Sequence, residues 1–375
     1  MIKFNNPKFV GNIPNINKLS NFSSDTGLYL KKCEQWLNKE IGCKASILMH
    51  SCTAALEACA LLLNIKKNDE IIMPSFTFVS TANAFVLRGG KPIFVDIEKN
   101  TCNIDVSKIE KVISSKTKAI VVVHYAGISC DMDPILKLAK KYKLYVIEDA
   151  AQAILSKYKG KSLGSLGDLA TLSFHETKNI HCGEGGALLI NNPKFIKRAK
   201  IIKDKGTNRD LFNRNMVKKY TWIDFGSSYG LSGLNSAYLY SQLKQAKKIT
   251  NKRKKIFYQY HNLLKSLELQ NFIQRPYFSS YRKPNGHIYY IIVKKNNRKK
   301  LINYLKQKKI NSLFHYIPLH SSPFGKKITQ TKLSMKNTSF VSKNLLRLPL
   351  HVYLGPKDIR KICKEIYIYF KKNLK

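Results

Sequence analysis

The sequence from Ala119 to Asp149 reads AIVVVHYAGISCDMDPILKLAKKYKLYVIED and decides the fold class. Two runs rich in valine and isoleucine, Ala119–His124 and Leu144–Asp149, flank Pro134–Lys143, where apolar residues recur at helical spacing. Runs that are apolar at nearly every position are typical of strands that are buried on both faces of a parallel sheet. This order of strand, helix and strand therefore predicts an α/β fold.

The alternation of strand-like and helical stretches extends over most of the chain. Further runs with strand composition are Ile47–Met49, Ile71–Ser75, Pro92–Ile97, Thr171–Phe174, Ala187–Ile190 and residues 287–293. Stretches with helical spacing are Tyr29–Glu40, Val79–Arg88, Val106–Ile113, residues 194–204, Leu234–Leu267, residues 297–308 and residues 357–371, with a polar loop predicted over 321–338. We predict a large domain over residues 1–245, which begins with an irregular arm over 1–27, and a smaller α/β domain over 246–375.

The composition is that of a folded protein, with 44% hydrophobic residues in a chain of 375. We see no basic-then-apolar signal at the start and no apolar run near the roughly 20 residues that span a bilayer, so we predict a cytoplasmic protein without membrane contact. The eight cysteines are scattered and lack the spacing of metal ligands. We expect neither a metal nor a disulfide.

The formal net charge of +43 raises the alternative of a nucleic-acid-binding protein. Only 10 of the 66 basic residues are arginine, however, and the lysines are spread along the whole chain. Nucleic-acid recognition favours the planar fork of arginine. We interpret the charge as compositional drift towards lysine and predict no nucleic-acid partner.

Polar residues fall near the carboxyl ends of the predicted strands, where open α/β sheets bind ligands. They are Ser75–Phe78, His124, Asp149 and Ser173–Lys178. Two of these residues have an alternative interpretation without a function in ligand binding. Lys178 is then a solvated charge in a loop, and Asp149 is the N-cap of a helix. Ser51 and Thr53 precede another predicted helix, where they either cap it or help its N–H groups to bind an anion.

A set of short segments, in order along the chain, carries a family resemblance. They are Ser51–Leu56 (SCTAAL), Met73–Ala84 (MPSFTFVSTANA), Phe94–Asp96 (FVD), His124–Gly127 (HYAG), Glu148–Gln152 (EDAAQ), Ser173–Lys178 (SFHETK), Gly183–Gly186 (GEGG) and His315–His320 (HYIPLH). In these segments the chain resembles the DegT/DnrJ/StrS family of sugar-nucleotide aminotransferases, which use pyridoxal 5′-phosphate (PLP). The resemblance implies fold type I of the PLP-dependent transferases, which is aspartate aminotransferase-like. That fold has a mostly parallel sheet of the seven-stranded type in the large domain and a smaller C-terminal α/β domain.

Further segments resemble one branch of this family, which makes dTDP-4-amino-4,6-dideoxygalactose for enterobacterial common antigen. They are Val86–Gly89 (VLRG), Lys205–Arg209 (KGTNR), Lys219–Trp222 (KYTW) and Gly226–Tyr229 (GSSY). The resemblance implies that an amino group passes from L-glutamate to C4 of a dTDP-4-keto-6-deoxyhexose, namely dTDP-4-dehydro-6-deoxy-D-glucose.

The resemblance also assigns the catalytic lysine and its partner. Lys178 matches the lysine that holds PLP covalently, which requires an unprotonated amine, and that then moves protons. Asp149 matches the carboxylate that pairs with the ring nitrogen of PLP and keeps it protonated, so that the ring withdraws electrons.

Other cofactor contacts are implied in the same way. Gln152 matches a residue beside O3′ of PLP, and Phe78 matches the aromatic residue that stacks on the ring, with a purely structural core position as the alternative for Phe78. Thr53, Ala54 and Ser173 match positions that hold the phosphate.

The resemblance extends to the substrate and to a second subunit. Ser228, where many relatives carry Asn, matches the place at which a neighbouring subunit completes the phosphate site, which implies a homodimer with shared active sites. The substrate-binding candidates are Arg209, Lys219, His315, Tyr316 and His320.

The alternatives are an aminotransferase for another nucleotide-linked keto sugar, a PLP-dependent sugar dehydratase, and a catalytically silent relic of the family. Dehydratase relatives replace the lysine with histidine, so the presence of Lys178 disfavours the dehydratase alternative. The link from Lys178 to Gly183 looks one residue shorter than in some relatives, with His181 and Cys182 in place of small residues. We expect the position of the Lys178 amine in the site to depend most on the length of this link.

Overall fold

The computed structural model describes residues 1–7, 10–11, 27–294, 297–329 and 333–372. Most of the predicted N-terminal arm, at residues 8–9 and 12–26, lies outside the described residues. The strands are β1 (Ala45–Met49), β2 (Glu70–Pro74), β3 (Lys91–Val95), β4 (Thr117–Val123), β5 (Tyr145–Asp149), β6 (Lys157–Tyr158), β7 (Lys161–Ser162), β8 (Leu169–Ser173), β9 (Gly186–Ile190), β10 (Ile273–Gln274), β11 (Arg282–Lys283), β12 (Tyr289–Val293) and β13 (Leu345–Leu348).

The helices follow in chain order. They are α1 (Leu28–Ile41), α2 (Cys52–Leu62), α3 (Val79–Val86), α4 (Val106–Ile109), α5 (Met132–Tyr142), α6 (Ile196–Lys203), α7 (Arg209–Asn213), α8 (Gly233–Lys244), α9 (Ala246–Leu263), α10 (Lys265–Leu269), α11 (Arg298–Gln307), α12 (Pro323–Ile328), α13 (Lys336–Asn344) and α14 (Pro356–Lys372). Among the helices of the described ranges, none is long and apolar enough to cross a membrane.

In the described part of the chain, the main sheet has seven strands in the order β1-β9-β8-β5-β4-β2-β3. The five strands from β8 to β3 run parallel, whereas β9 is antiparallel to both β8 and β1. The prediction of a mostly parallel α/β sheet is therefore confirmed.

Both faces of this sheet are covered, because successive side chains of a strand point to opposite sides. On β4, Ile120 and Val122 belong to the core beneath α1, α5 and α8. Ala119 and Val121 belong to a second core beneath α2, α3 and α6. This double burial explains why the strand sequence is apolar at nearly every position.

The C-terminal part has a core of its own. Strands β10, β12 and β13 form a three-stranded sheet in the described residues, and α9, α11 and α14 pack with it. A further cluster joins this sheet to the main one, with the rings of Tyr125 and Tyr290 centred 5.6 Å apart. The domain boundary at residues 245 and 246 stays a prediction.

Two predicted elements differ from the structure. The long helix predicted over Leu234–Leu267 is divided into α8, α9 and α10, with non-helical backbone at Gln245 and Leu264. The chain turns there because α8 packs on α1 whereas α9 packs on α14. The polar loop predicted over 321–338 includes α12 and the start of α13, and residues 330–332 lie outside the described residues. The Ser322 hydroxyl caps α12 by accepting a hydrogen bond from the Gly325 N–H.

The topology brings several chain segments to one edge of the sheet. Strand β5 ends at Asp149, β8 ends at Ser173, and β1 ends just before the start of α2. Parallel strands place their carboxyl ends on the same side, and Met49, Gly186 and Ser173 lie level with one another across β1, β9 and β8. The functional candidates therefore meet at this edge.

Candidate active site

A cavity of about 860 Å³ opens at the carboxyl edge of the main sheet. Its walls come from both the large sheet and the C-terminal sheet. The predicted site residues that line it are Thr53, Phe78, Asp149, Gln152, Ser173, Lys178, His315 and Tyr316. Segments that are up to 263 positions apart in the chain, from Thr53 to Tyr316, thus share one cavity.

Lys178 presents its amine to this cavity from the hairpin between β8 and β9. The side chain is partly buried, and Nζ has no ion pair or hydrogen-bond partner among the described residues. Burial lowers the pKa of Lys178, and the Arg347 charge lowers it further, whereas Cys52 and Asp149 partly oppose this shift. The alternative of a solvated loop lysine is inconsistent with this position. The amine is disposed to lose its proton, as a nucleophilic lysine must.

The link after Lys178, residues 179–182, folds back compactly. Cys182 N–H donates to the Phe174 carbonyl at 2.9 Å, and Glu176 N–H donates to the Gly183 carbonyl at 2.8 Å. Both His181 and Cys182 are buried. These contacts hold the hairpin that places Lys178 in the cavity wall. That this link is shorter than in relatives stays a prediction.

Asp149 ends β5 with its carboxylate buried beside the cavity. Its Oδ2 accepts a hydrogen bond from the Thr81 hydroxyl at 2.7 Å, and its Oδ1 accepts one from the Ala151 N–H at 3.2 Å. The chain after Asp149 turns without forming a helix, so the alternative of a helix N-cap is wrong. A buried carboxylate without a cationic partner in the described residues is suited to pair with a protonated ligand nitrogen.

The start of α2 forms the anion-binding end of the cavity. The Ser51 hydroxyl accepts a hydrogen bond from the Ala54 N–H at 3.0 Å, which caps the helix. Ala54 therefore has its N–H already engaged. Among the described residues the N–H groups of Cys52 and Thr53 have no acceptor, and such groups bind phosphate at a helix start.

Gly186 holds this helix start close to the sheet. A Cβ at Gly186 would lie 2.4 Å from the Cys52 nitrogen, so only glycine permits the observed approach of β9 to α2. Ser173 lies level with Gly186 on the neighbouring strand β8 and lines the cavity. The free N–H groups and the Ser173 hydroxyl thus face one space.

Phe78 and Gln152 occupy different surroundings. The Phe78 side chain is 57% exposed at the cavity mouth, so the alternative of a purely structural core position is wrong. Gln152 is buried, with its oxygen accepting from the Ala126 N–H at 2.6 Å and its nitrogen donating to the Tyr316 hydroxyl at 2.9 Å. Gln152 therefore links the segment after β4 to the C-terminal part of the chain.

His315 and Tyr316 form an aromatic wall. Their rings stack with centroids 3.7 Å apart, and His315 Nδ1 shares a 2.7 Å hydrogen bond with the Tyr125 hydroxyl. Burial lowers the pKa of His315, and the charges of Arg347 and Lys178 lower it further, which favours the neutral ring. Tyr316 has φ of +33°, a strained value for a residue with a side chain.

Five of the predicted site residues do not line this cavity. Ala54 is buried in α2, with its N–H bound to the Ser51 hydroxyl. His320 is bound to Ser75 at the end of β2, with Nδ1 2.7 Å from the Ser75 hydroxyl, and this contact turns it from the cavity. Arg209, Lys219 and Ser228 belong to a segment between α6 and α8 that is largely exposed. A role for these three in the site of a second subunit stays a prediction.

Several lining residues were not predicted from the sequence. The most notable are Cys52, Thr81, Arg253, His287 and Arg347. A signal existed for Arg347, because it is the one charged residue in the run Leu345–Leu350. A charge within an apolar strand is costly unless it has a function or a partner. What the sequence did not reveal is that β13 faces the cavity.

The donor set of the cavity fits PLP. Lys178 supplies an amine for the aldehyde, Asp149 a carboxylate for the ring nitrogen, and Phe78 an aromatic face. The unpaired N–H groups of Cys52 and Thr53 suit the phosphate. Fold and site together define a PLP-dependent enzyme of fold type I.

Comparison with known proteins identifies the family. Residues 13–367 match the DegT/DnrJ/EryC1/StrS aminotransferase family, and the chain belongs to it. It is accordingly a transaminase that uses PLP.

Individual relatives cover nearly the whole chain. An uncharacterized protein of Methanocaldococcus jannaschii is 38% identical over 343 residues, which are 89% of this chain and 88% of that protein. The spore coat polysaccharide biosynthesis protein SpsC of Bacillus subtilis is 31% identical, over 87% of this chain and 85% of SpsC. The structure of Helicobacter pylori PseC, an aminotransferase involved in the biosynthesis of pseudoaminic acid, superposes with a TM-score of 0.86 at 26% identity, covering 95% of this chain and 94% of PseC.

We predict that Lys178→Ala abolishes covalent attachment of PLP. Wild-type protein with PLP should be yellow, and borohydride reduction followed by peptide mass mapping should place the label on Lys178. Lys361→Ala, which removes an exposed lysine on α14, serves as the control and should label like wild type. Label on another lysine of the wild type would contradict the assignment.

The lowered pKa of Lys178 predicts the pH dependence of PLP incorporation into the apoprotein. Only the neutral amine attacks the aldehyde, so the rate should rise with pH as Lys178 loses its proton. Because burial shifts this pKa downwards, the rise should level off below the ordinary lysine value of about 10.4. Stopped-flow absorbance measures the rate, with Nα-acetyl-lysine as the unshifted reference. A profile that follows the reference would contradict the burial argument.

Proposed function

We propose that this aminotransferase acts on a nucleotide-linked keto sugar and transfers the amino group of L-glutamate to C4 of dTDP-4-dehydro-6-deoxy-D-glucose. The products are dTDP-4-amino-4,6-dideoxy-D-galactose and 2-oxoglutarate. The observation that carries the transaminase chemistry is the shared cavity of the Lys178 amine and the Asp149 carboxylate. The names of SpsC and PseC, which refer to polysaccharide and pseudoaminic acid biosynthesis, support a sugar substrate.

The residues of the chain have separate tasks in this reaction. PLP, when bound, accepts the electron pair that is released next to the substrate nitrogen. Asp149 keeps a protonated ring nitrogen in place, and the Thr81 hydroxyl orients the Asp149 carboxylate through Oδ2. Lys178 Nζ takes the proton from the substrate carbon, for which its lowered pKa suits it. The rings of His315 and Tyr316 line the cavity, with the buried Tyr125 packed against them, and they limit access of water to this proton transfer.

The four branch-specific segments, on whose resemblance the finer substrate assignment rests, come together in space. Lys205 N–H donates to the Ser227 carbonyl at 3.1 Å, and Thr207 pairs with Trp222. Arg88 lies 5.1 Å from the centre of the Phe225 ring. Segments that share a branch resemblance and also share one surface are expected to serve one task.

That task, we propose, is to form a homodimer around the active sites. Large apolar side chains are exposed on this surface, which we call the apolar face: Phe78, Val79, Leu87, Trp222, Ile223 and Phe225. The face begins at the cavity mouth, where Phe78 precedes α3, and continues past Leu87 at the other end of that helix. Contiguous exposed apolar surface of this kind marks a protein interface. A second copy of the chain would bring its Arg209, Lys219 and Ser228 segment towards the neighbouring cavity, in keeping with the shared sites that the resemblance implies.

The alternative of another nucleotide-linked keto sugar differs only in the substrate and stays open to assay. A silent relic of the family is disfavoured, because Lys178, Asp149 and the start of α2 retain the geometry that PLP requires. The cytoplasmic location stays a prediction from the sequence.

We predict that the holoenzyme, given L-glutamate, converts dTDP-4-dehydro-6-deoxy-D-glucose to an amino sugar. The reaction should be assayed by mass spectrometry against a panel of dTDP- and UDP-linked 4-keto sugars. Asp149→Asn should keep the protein folded but slow turnover by at least ~100-fold, because the ring nitrogen loses its anionic partner.

The outcomes of this assay separate the hypotheses. Conversion of a UDP-linked sugar alone would replace the dTDP assignment while keeping the aminotransferase class. Near-normal turnover of Asp149→Asn would contradict the role of Asp149. A protein that binds PLP but transfers no amino group to any sugar of the panel would contradict the proposed substrate class.

The apolar face yields a separate prediction. Trp222→Asp should convert the dimer to a monomer and raise its dissociation constant by at least ~100-fold, because the substitution buries a charge in the interface. Light scattering coupled to size exclusion measures the mass. Leu269→Asp is the matched control, since Leu269 and Trp222 are both 77% exposed but Leu269 ends α10, whose Leu267 packs in the C-terminal core. An unchanged mass for Trp222→Asp would contradict the interface.

A further inference from the structure

A histidine of the cavity wall is bonded to the residue next to Lys178. His287 lies just before β12, lines the cavity and is 8% exposed. Its Nδ1 lies 2.9 Å from Oδ1 of Asn179, the residue that follows Lys178 in the chain. None of the PLP contacts assigned to this cavity uses His287, so a further role is open to it.

The surrounding amides decide which nitrogen of the His287 ring carries the proton. Nδ2 of Asn179 donates to the backbone carbonyl of Asn285 at 3.4 Å, and a carbonyl can only accept. Oδ1 of Asn179 is therefore the atom that faces the ring, and it too can only accept. Nδ1 of His287 must then be the donor, which leaves Nε2 of the neutral ring with a free lone pair.

The His287 ring is anchored through its backbone as well. The His287 N–H donates to Oδ1 of Asn285 at 2.9 Å. Nδ2 of Asn285 in turn donates to the carbonyls of Gln152 and Ile154, each at 2.9 Å. The segment after Asp149 thus holds Asn285, and Asn285 holds His287. A ring that is fixed at its backbone and at Nδ1 keeps Nε2 in one direction.

The charges around His287 keep the ring neutral. Burial lowers its pKa well below the ordinary histidine value, and the charges of Lys178 and Arg253 lower it further. His315 and Arg347 act in the same direction. Nε2 has no hydrogen-bond partner among the described residues. The cavity wall therefore contains a hydrogen-bond acceptor that carries no charge.

Lys178 is placed to donate to this acceptor. Asn179 touches the ring, consecutive Cα atoms are about 3.8 Å apart, and a lysine has a flexible four-carbon stem. Among the charged groups, Lys178 has the largest effect on the pKa of His287, so the two side chains lie within electrostatic range. Nζ makes no hydrogen bond to a described residue, so rotation of the stem can bring it to Nε2.

We propose that His287 is a positioning residue for Lys178, and that its bare Nε2 accepts a hydrogen bond from the Lys178 amine whenever the amine is not bound to PLP. This inference rests on the role assigned to Lys178. A hydrogen bond to Nε2 fixes the direction of the amine, so that its lone pair is held ready for the proton of the substrate carbon.

A neutral acceptor suits the two states that this amine must adopt. Lys178 attacks as a neutral amine, and it becomes an ammonium after it has taken the proton from the substrate carbon. A carboxylate partner would keep the amine protonated, since an opposite charge favours the charged form. A neutral imidazole contributes one hydrogen bond, so the proton can leave again. The proton stays on Nζ meanwhile, because the lowered pKa of His287 disfavours its transfer to Nε2.

The first test determines the protonation form of His287 in the apoprotein. Nuclear magnetic resonance of protein labelled with ¹⁵N-histidine should show a protonated Nδ1 and an unprotonated Nε2, assigned by the loss of these signals in His287→Gln. Asn179→Leu removes the acceptor of Nδ1–H, so it should raise the fraction of rings with the proton on Nε2. A wild-type His287 with a protonated Nε2 would overturn the proposal.

The second test separates the two nitrogens of His287 by substitution. His287→Asn keeps a donor at the place of Nδ1 but has no atom at the place of Nε2. His287→Gln places an amide oxygen near Nε2 but has no donor at the place of Nδ1. His261→Asn is the control, because His261 lies on α9 and does not line the cavity.

Two measurements compare these variants. The first is the pH dependence of PLP incorporation into the apoprotein, which should level off about 0.4 to 1.1 pH units lower in His287→Asn than in wild type, the value of one hydrogen bond to the ammonium. The second is the half-reaction of the holoenzyme with L-glutamate, whose rate constant should fall about 2- to 10-fold in His287→Asn at an unchanged half-saturating concentration. His287→Gln and the control should behave as wild type in both.

A purely structural role predicts the reverse order. If His287 only anchored the hairpin through Asn179, His287→Gln would be impaired and His287→Asn would resemble wild type, and this result would overturn the proposal. So would identical profiles for wild type and both variants, with thermal unfolding showing that each is folded. A wild-type protein that carries PLP on a lysine other than Lys178 would instead refute the role of Lys178, and the inference with it.

Discussion

The structure depends on a buried carboxylate that performs no chemistry, that of Glu148. Its Oε1 accepts hydrogen bonds from the N–H groups of Leu166 and Gly167, and its Oε2 accepts from Gly164 N–H and from His124 Nε2. Burial alone would raise the pKa of Glu148, but the bonds from His124 and the backbone outweigh it and hold the pKa below the ordinary value. The three backbone bonds tie the loop before β8 to β5 in the middle of the sheet, and the fourth ties β5 to His124 at the end of β4.

This arrangement sets the geometry of the active site one residue further on. Neighbouring residues of a strand point to opposite faces, so fixing Glu148 beneath the sheet directs Asp149 to the other side. The same loop delivers β8 beside β5, with Asp149 paired in register with Thr171. The hairpin after β8 then carries Lys178 into the cavity that Asp149 lines. Glu148 and Asp149 are thus neighbours with different roles. The protein supplies hydrogen-bond donors to both oxygens of the Glu148 carboxylate, whereas the Asp149 carboxylate has no cationic partner in the described residues and can pair with a ligand.

The cavity contains cations without anionic partners, and this arrangement suits the binding of anionic ligands. Lys178 and Arg347 both face it without a carboxylate partner in the described residues. In water such cations would cost little, but in a half-enclosed cavity they favour anions. A phosphate at the start of α2 would supply part of the negative charge that this cavity lacks.

Some features of this protein could be predicted from the sequence alone, and others could not. The apolar strands between Ile71 and Asp149 were recognisable because parallel strands buried on both sides need continuous apolar residues. Lys178 and Asp149 were recognisable only through the ordered set of motifs, since a lysine in a loop or an aspartate at a strand end has commoner explanations. The division of the predicted long helix at Gln245 was missed because local spacing on both sides is helical, and the turn follows from packing against α1 and α14.

The sequence by itself determined the fold class and the family, and it predicted the residues at the centre of the chemistry. Composition, periodicity and motif order can be recognised in the sequence without knowledge of long-range contacts. Only the tertiary structure decided which side chains face the cavity. It showed that Ala54 has its N–H engaged by Ser51 and that His320 is held by Ser75. It also brought Arg347 into the site from a strand of the other sheet. The orientation of a side chain depends on packing between elements that are distant in the chain, and local sequence does not encode it.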